Sequence, residues 1–134
     1  MKIREYKKED DKQVIELYNK CFSHKCENIY FEPTGTILVI EEDNKIIGMG
    51  TIDILNDVFK GIKYGYLNNI CVSPECQGRG LGSFLVKEIE KYAIENDCKY
   101  LMLTSNKKRV AAHKVYLKNE FEIIDTCVFK KYLD

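Results

Sequence analysis

Between Tyr64 and Thr104 the chain reads as an apolar strand, a glycine-rich turn, an amphipathic helix and a second apolar strand, and this order most constrains the fold. The first strand, Tyr-Gly-Tyr-Leu-Asn-Asn-Ile-Cys-Val over residues 64–72, stops at Ser73-Pro74. Proline cannot donate to a ladder and restricts the residue before it. After Gly80, the residues Leu81, Phe84, Leu85, Ile89, Tyr92 and Ala93 recur at helical spacing, broken only by Glu88. Tyr100 to Thr104 reads as a strand of the buried type. A strand–helix–strand crossover within one sheet places its strands parallel.

The flanking segments supply the rest. Residues 2–6 read as a first strand, and Asp10 followed by Gln13 resembles a capping box that opens a helix bearing Val14, Leu17, Tyr18 and Cys21. Residues 36–42 and 45–55 form a hairpin about Asp43-Asn44-Lys45, with Gly48 and Gly50 marking a bulge or a close approach. Val110 to Asn119 reads as a helix, and two apolar runs over residues 121–132 read as a closing hairpin. Residues 22–35 fit either a short helix or a packed loop. The expected fold is α/β, one domain over residues 1–134, with a mixed sheet flanked by helices.

Composition removes several functions. Lys+Arg and Asp+Glu are both 21, so the net charge is zero, and a nucleic-acid partner is not expected. No apolar run approaches the roughly 20 residues a membrane span requires. The first ten residues lack the apolar core of a signal peptide, so the cytoplasm is the expected compartment, where the six cysteines stay reduced. Cys21, His24 and Cys26 sit close together, but no second pair follows at zinc-site spacing, so no metal is expected.

The sharpest local signal is Gln77-Gly78-Arg79-Gly80-Leu81-Gly82 at the strand-to-helix turn. Glycine permits unusual dihedrals and close backbone approach. The free N–H groups of a first helical turn suit a phosphate. Arg79 offers a cation at the rim. Neither the dinucleotide fingerprint nor the nucleotide P-loop fits this spacing. A turn without any ligand is the other reading that the spacing allows.

Gln77-x-x-Gly80-x-Gly82 resembles the Arg/Gln-x-x-Gly-x-Gly/Ala signature of the GNAT superfamily of acetyl-CoA-dependent N-acetyltransferases. Asn69 to Glu75 resembles the strand and loop before that signature. Ala111-Ala112-His113-Lys114-Val115-Tyr116-Leu117-Lys118-Asn119-Glu120-Phe121 resembles the family's Ala-x-x-x-Tyr-x-x-x-Gly-Phe segment, and Ile3-Arg4 with Asp10 its opening. The resemblance implies a sheet of about six or seven strands with a splayed pair that holds acyl-CoA. It implies that Gln77, Gly78, Arg79, Gly80, Leu81, Gly82 and Ser83 hold the pyrophosphate. Ile70, Cys71 and Val72 would offer backbone groups to the pantetheine arm and the acetyl carbonyl, and Asn106 would bond the arm. The reaction implied is attack of a primary amine, small molecule or peptide, on the thioester through a tetrahedral intermediate.

In that reading Tyr116 matches the tyrosine that protonates the departing thiolate. Asn68 stands where some members carry a glutamate base; its amide cannot take a proton but can order a water. Glu32, His24 and Asp53 are candidate bases by residue type alone. Cys71 and Cys76 flank the site as bystanders. Glu120 replaces the family's glycine, and Asn119, which tolerates a left-handed backbone, is expected to carry the turn. Glu27, Glu32, Glu41, Glu42 and Asp43 hint at a cationic acceptor. A non-catalytic acyl-CoA sensor and a plain interaction domain are the remaining alternatives, and a homodimer is common among similar proteins.

Overall fold

The computed structural model describes residues 1–134. Five strands form one sheet in the order β1 (Lys2–Glu5), β2 (Thr36–Glu42), β3 (Lys45–Asp57), β4 (Ile62–Val72) and β5 (Cys98–Met102). The first four pair antiparallel, and β4 and β5 pair parallel. The helices are α1 (Asp11–Cys21), α2 (Leu81–Glu95), which makes the crossover from β4 to β5, and α3 (Val110–Lys118). Successive strand residues face opposite sides, so each side of the sheet has its own core. Leu38, Ile40, Ile52, Leu67 and Ile70 pack with Leu81, Leu85, Val86 and Ile89 of α2 and with Tyr116 of α3. On the other side Val39, Ile46, Met49 and Cys71 pack with Val14 and Leu17 of α1.

The β2–β3 turn follows the sequence. Asp43 and Asn44 have φ of 51° and 66°, as a tight hairpin turn needs at both central positions. Gly48 and Gly50 mark close approaches: a Cβ on Gly50 would lie 2.8 Å from Ile89 Cδ1, and one on Gly48 2.9 Å from Ile40 Cδ1.

Three expectations need correction. Gln13 does not complete a capping box with Asp10. Its side chain instead donates to the Asn44 carbonyl and accepts from the Ile46 N–H, which ties α1 to the hairpin. Asp10 is buried, paired by both carboxylate oxygens with Arg4, and accepts from the Lys7 N–H at 2.7 Å. Of the two readings open for residues 22–35, the structure takes the loop, with no helix. The closing hairpin is absent: residues 121–132 form no strand, and the sheet has five strands rather than six or seven. Strand propensity alone does not make a strand, because each ladder bond requires a partner.

The third correction concerns the end of α3. The residue in the left-handed region is Glu120, at φ 68°, not Asn119, at φ −95°. The Phe121 N–H bonds the Tyr116 carbonyl at 3.0 Å and the Glu120 N–H bonds that of Leu117 at 3.1 Å. This is a Schellman cap, with the expected apolar contact between Phe121 and Tyr116, whose ring centroids are 5.8 Å apart. Asn119 is committed elsewhere: its side-chain amide donates to Ser83 Oγ and to the Val115 carbonyl. A glutamate in this backbone conformation costs about 1 kcal/mol that glycine avoids. Glu120→Gly is therefore expected to stabilise the fold by up to about 1 kcal/mol, less the entropy glycine adds to the unfolded chain. Urea denaturation reads this directly; no change, or a loss, would show that the cap carries no strain.

Candidate active site

The site begins where β4 and β5 part. Their parallel pairing runs from Lys63↔Cys98 to Tyr66↔Met102 and stops there. β4 continues to Val72 and stays paired with β3, through Met49↔Cys71 and Gly48↔Val72. From Leu67 to Val72, β4 therefore has a neighbour on one side only. A bulge accompanies the divergence. Met49 pairs with Cys71 and Thr51 with Asn68, so Asn69 and Ile70 of β4 oppose the single residue Gly50. Asn69 sits at φ 53°. Asparagine is among the few residues that visit this region readily, and a bulge bends its strand. The sequence signal for Asn69 was present in the Asn68-Asn69 pair, but only the β3 register turns it into a bulge.

The gap leads to the glycine turn. A short helical turn at Pro74–Cys76 follows β4, and α2 starts at Leu81. Gly78 and Gly80 have φ of 85° and 76°, and a Cβ at either would meet nothing within 4 Å. The amides of residues 78–83 bond no backbone acceptor, and no side chain caps α2. The turn thus presents a row of unused donors at the positive end of a 15-residue helix, in open space. Gly82 does something different. A Cβ there would lie 3.3 Å from Val115 Cγ2, so this glycine lets α3 pack against α2.

The side chains around the turn are partly engaged. The Arg79 guanidinium makes a two-pronged pair with Glu42, at 2.9 and 2.6 Å, and holds that carboxyl below its ordinary range. Ser83 Oγ accepts from Asn119, which joins α2 to α3. Gln77 is exposed at the end of the short turn, its N–H toward the Pro74 carbonyl. Asn106 is exposed and caps its own loop, with Oδ1 accepting from the Lys108 N–H at 2.9 Å. The acidic cluster does not form one patch: Glu41 pairs with Arg4 and Lys2, and Glu42 with Arg79.

Tyr116 lies in the core beside the gap, 8% exposed. Burial pushes its phenol above the ordinary value, opposed by the positive charge of Arg109. No protein group bonds its hydroxyl, yet no fully buried side-chain oxygen lacks a partner. The hydroxyl therefore reaches open space while the ring is packed. Asn68 is exposed on β4 next to the bulge, and Ile70 and Cys71 are buried. The Cys71 thiol is pushed well above the usual thiol range, first by the neighbouring Cys21 thiol and then by burial, so it stays protonated at neutral pH. Cys21 donates to the Val72 carbonyl and Cys26 to the Asn28 carbonyl. His113 shares a hydrogen bond with Ser105 Oγ, and Asp53 accepts from Thr34.

Arg109 was not anticipated. It reaches from the loop before α3 to the bulge, donating to the Ile70 carbonyl at 3.4 Å, and stacks over the Phe22 ring at 5.3 Å. In the sequence it follows Lys107-Lys108 and looks like a solvated charge run. Its positive charge acts on both the Tyr116 phenol and the Cys71 thiol. No helix is long and apolar enough to cross a membrane.

Comparison with known proteins follows the same lines. The model of the family described as Acetyltransferase (GNAT) matches residues 3–121. A protein of Pectobacterium atrosepticum named as an acetyltransferase is 28% identical over 144 residues, covering 99% of this chain and 96% of that one. One of Methanocaldococcus jannaschii named as an uncharacterized N-acetyltransferase is 26% identical over 148 residues, covering 100% of this chain and 85% of that one. Among solved structures, one described as an Agrobacterium tumefaciens acetyltransferase superposes with TM-score 0.85 at 21% identity, over 98% of this chain and 100% of that one. An aminoglycoside 6'-N-acetyltransferase of Acinetobacter haemolyticus superposes with TM-score 0.77 at 21% identity, over the whole of both chains.

Proposed function

The chain belongs to the acetyltransferase (GNAT) family, and from that premise we propose that it moves the acetyl group of acetyl-CoA to a primary amine, small molecule or peptide, by direct attack. Acetyl-CoA supplies an activated thioester. The open amides of residues 78–83 hold its pyrophosphate, a role that suits unused N–H groups at a helix start. The backbone of Ile70, Cys71 and Val72 borders the gap and carries the pantetheine arm, with a backbone N–H for the developing oxyanion. Asn68, exposed at the bulge, orders the water through which the ammonium loses its proton. The Tyr116 hydroxyl gives its proton to the departing thiolate. Arg109 raises the positive potential over the same gap, which favours both developing anions.

One observation carries this reading: β4 loses its β5 partner at Tyr66 but runs on to Val72, directly before the open amide turn. A gap and an anion cradle in series fit a long thioester with a phosphorylated tail. Two hydrogen bonds already hold Arg79 on Glu42, so the backbone, not this side chain, supplies the cradle. The test is release of free thiol from acetyl-CoA with a panel of primary amines. At least one amine is expected to raise release well above the rate without acceptor. Tight coenzyme A binding with no amine-dependent release from any member would overturn the transfer reading.

A further inference from the structure

Two of the chain's cations are withdrawn from solvent, and they differ in what they meet. Every lysine is exposed, and so is Arg79; among the lysines and arginines only Arg4 and Arg109 are half-buried. Arg4 has two carboxylates, those of Asp10 and Glu41. Arg109 has none, since every ion pair in the chain leaves it out. Its one hydrogen bond runs from a terminal guanidinium nitrogen to the Ile70 carbonyl at 3.4 Å, long for an N–H donor. A guanidinium carries five N–H donors and is always charged in a protein. Holding such a group half out of water without a counter-charge costs free energy.

The surroundings fix the guanidinium in that place. It lies over the Phe22 ring, 5.3 Å from the centroid, and Phe22 in turn meets Tyr18 of α1 with ring centroids 4.8 Å apart. Stacking on a ring leaves the N–H edge of a guanidinium free, and that edge matches the two oxygens of a carboxylate. The charge of Arg109 reaches the Tyr116 phenol, where it opposes the effect of burial. The guanidinium therefore stands at the bulge, by the end of the gap assigned to the thioester. The pyrophosphate end is elsewhere: the open amides of residues 78–83 come after Val72 and the short turn at Pro74–Cys76. An acetyl thioester carries no negative charge, so that end of acetyl-CoA leaves the cation unmatched. The acids that hinted at a cationic acceptor do not oppose an anionic one, since Glu41 and Glu42 are already paired with Arg4 and Arg79.

Resting on the acetyl-transfer reading above, we propose that the acceptor is an amino-carboxylate, a primary amine whose own carboxylate docks on Arg109. The two-pronged contact fixes one end of the acceptor and aims its nitrogen at the thioester carbon. The carboxylate takes no part in the covalent step. The neutral amine attacks, a C–N bond forms and the C–S bond breaks. Of the two protons the ammonium loses, one goes to solvent and the other replaces the proton that Tyr116 gives to the sulfur. The products are the N-acetylated amino-carboxylate and coenzyme A.

Initial rates of thiol release from acetyl-CoA test this on the full chain. The acceptors are the protein amino acids and short ω-amino acids, each paired with its amide or its decarboxylated amine. At least one amino-carboxylate is expected to exceed its neutral counterpart at least about tenfold in kcat/KM, or about 1.4 kcal/mol. The amine of an α-amino amide is less protonated at neutral pH than that of the free amino acid, so amine basicity opposes this preference. Arg109→Gln is expected to erase the preference, chiefly through the KM of the amino-carboxylate, and to leave coenzyme A affinity within about twofold by calorimetry. Arg109→Lys keeps the charge but not the fork, and is expected to restore part of the preference. A general effect of the charge on the developing anions would lower both members of a pair alike; an unchanged ratio in Arg109→Gln would thus overturn the proposal. So would a wild-type chain that takes the neutral member of every pair as readily. Those failures leave acetyl transfer standing, whereas release with no amine at all, neutral or anionic, would sink both.

Discussion

Tyr116→Phe is expected to lower kcat at least about tenfold: general acid catalysis typically contributes about 10²–10⁴-fold, and water rescues part of it. The aromatic ring packs in the α2–α3 core and on Phe121. Phenylalanine keeps that packing and removes only an oxygen that no protein group bonds. Stability and coenzyme A affinity are therefore expected to stay near wild type, so that kcat falls while binding does not. The pH profile carries the same information. Burial raises the phenol's pKa above its ordinary value of 10.0, so the acid form persists through neutral and mildly alkaline pH. Activity that depends on it is lost only as pH rises beyond that ordinary value, and the variant loses that alkaline limb. Wild-type turnover in Tyr116→Phe would return the residue to a packing role.

Much of the scaffold was readable because its signals are local. The period of Leu81, Leu85 and Ile89, the strand stop at Ser73-Pro74 and the paired turn residues Asp43 and Asn44 each act within one element. What escaped depends on partners distant in sequence. Asn69 becomes a bulge only in register with Gly50. Gln13 could cap its own helix, yet it bonds a hairpin more than 30 residues away. Arg109 sits in a run of lysines, and nothing local separates the cation that meets the Ile70 carbonyl from its solvated neighbours. At the α3 cap the left-handed tolerance of asparagine pointed to Asn119, but the Schellman geometry fixes the position by counting from the helix end, and that position is Glu120. The run over residues 121–132 reads as a hairpin because its residues favour strands, while pairing depends on an edge that another element must present. The glycine turn was legible as an open turn at a helix start, though its three glycines divide: two supply the left-handed backbone and Gly82 supplies room for Val115.

Gly80→Asp tests the account's central claim most directly, with coenzyme A affinity read by calorimetry on the folded variant. Gly80 stands immediately before α2 at φ 76°, and a Cβ there meets open space. The substitution therefore costs about 1–2 kcal/mol of backbone strain but no clash. Its carboxylate would lie among the amides of residues 78–83 and repel a phosphate that came to them. Gly80→Asn separates the two effects: it carries a side chain of the same size, tolerates the same backbone and adds no charge. The affinity of Gly80→Asp is expected to fall at least about tenfold, roughly 1.4 kcal/mol, and Gly80→Asn is expected to lose much less. Equal affinity for coenzyme A in wild type and Gly80→Asp, with both chains folded, would contradict the assignment of the pyrophosphate to this turn.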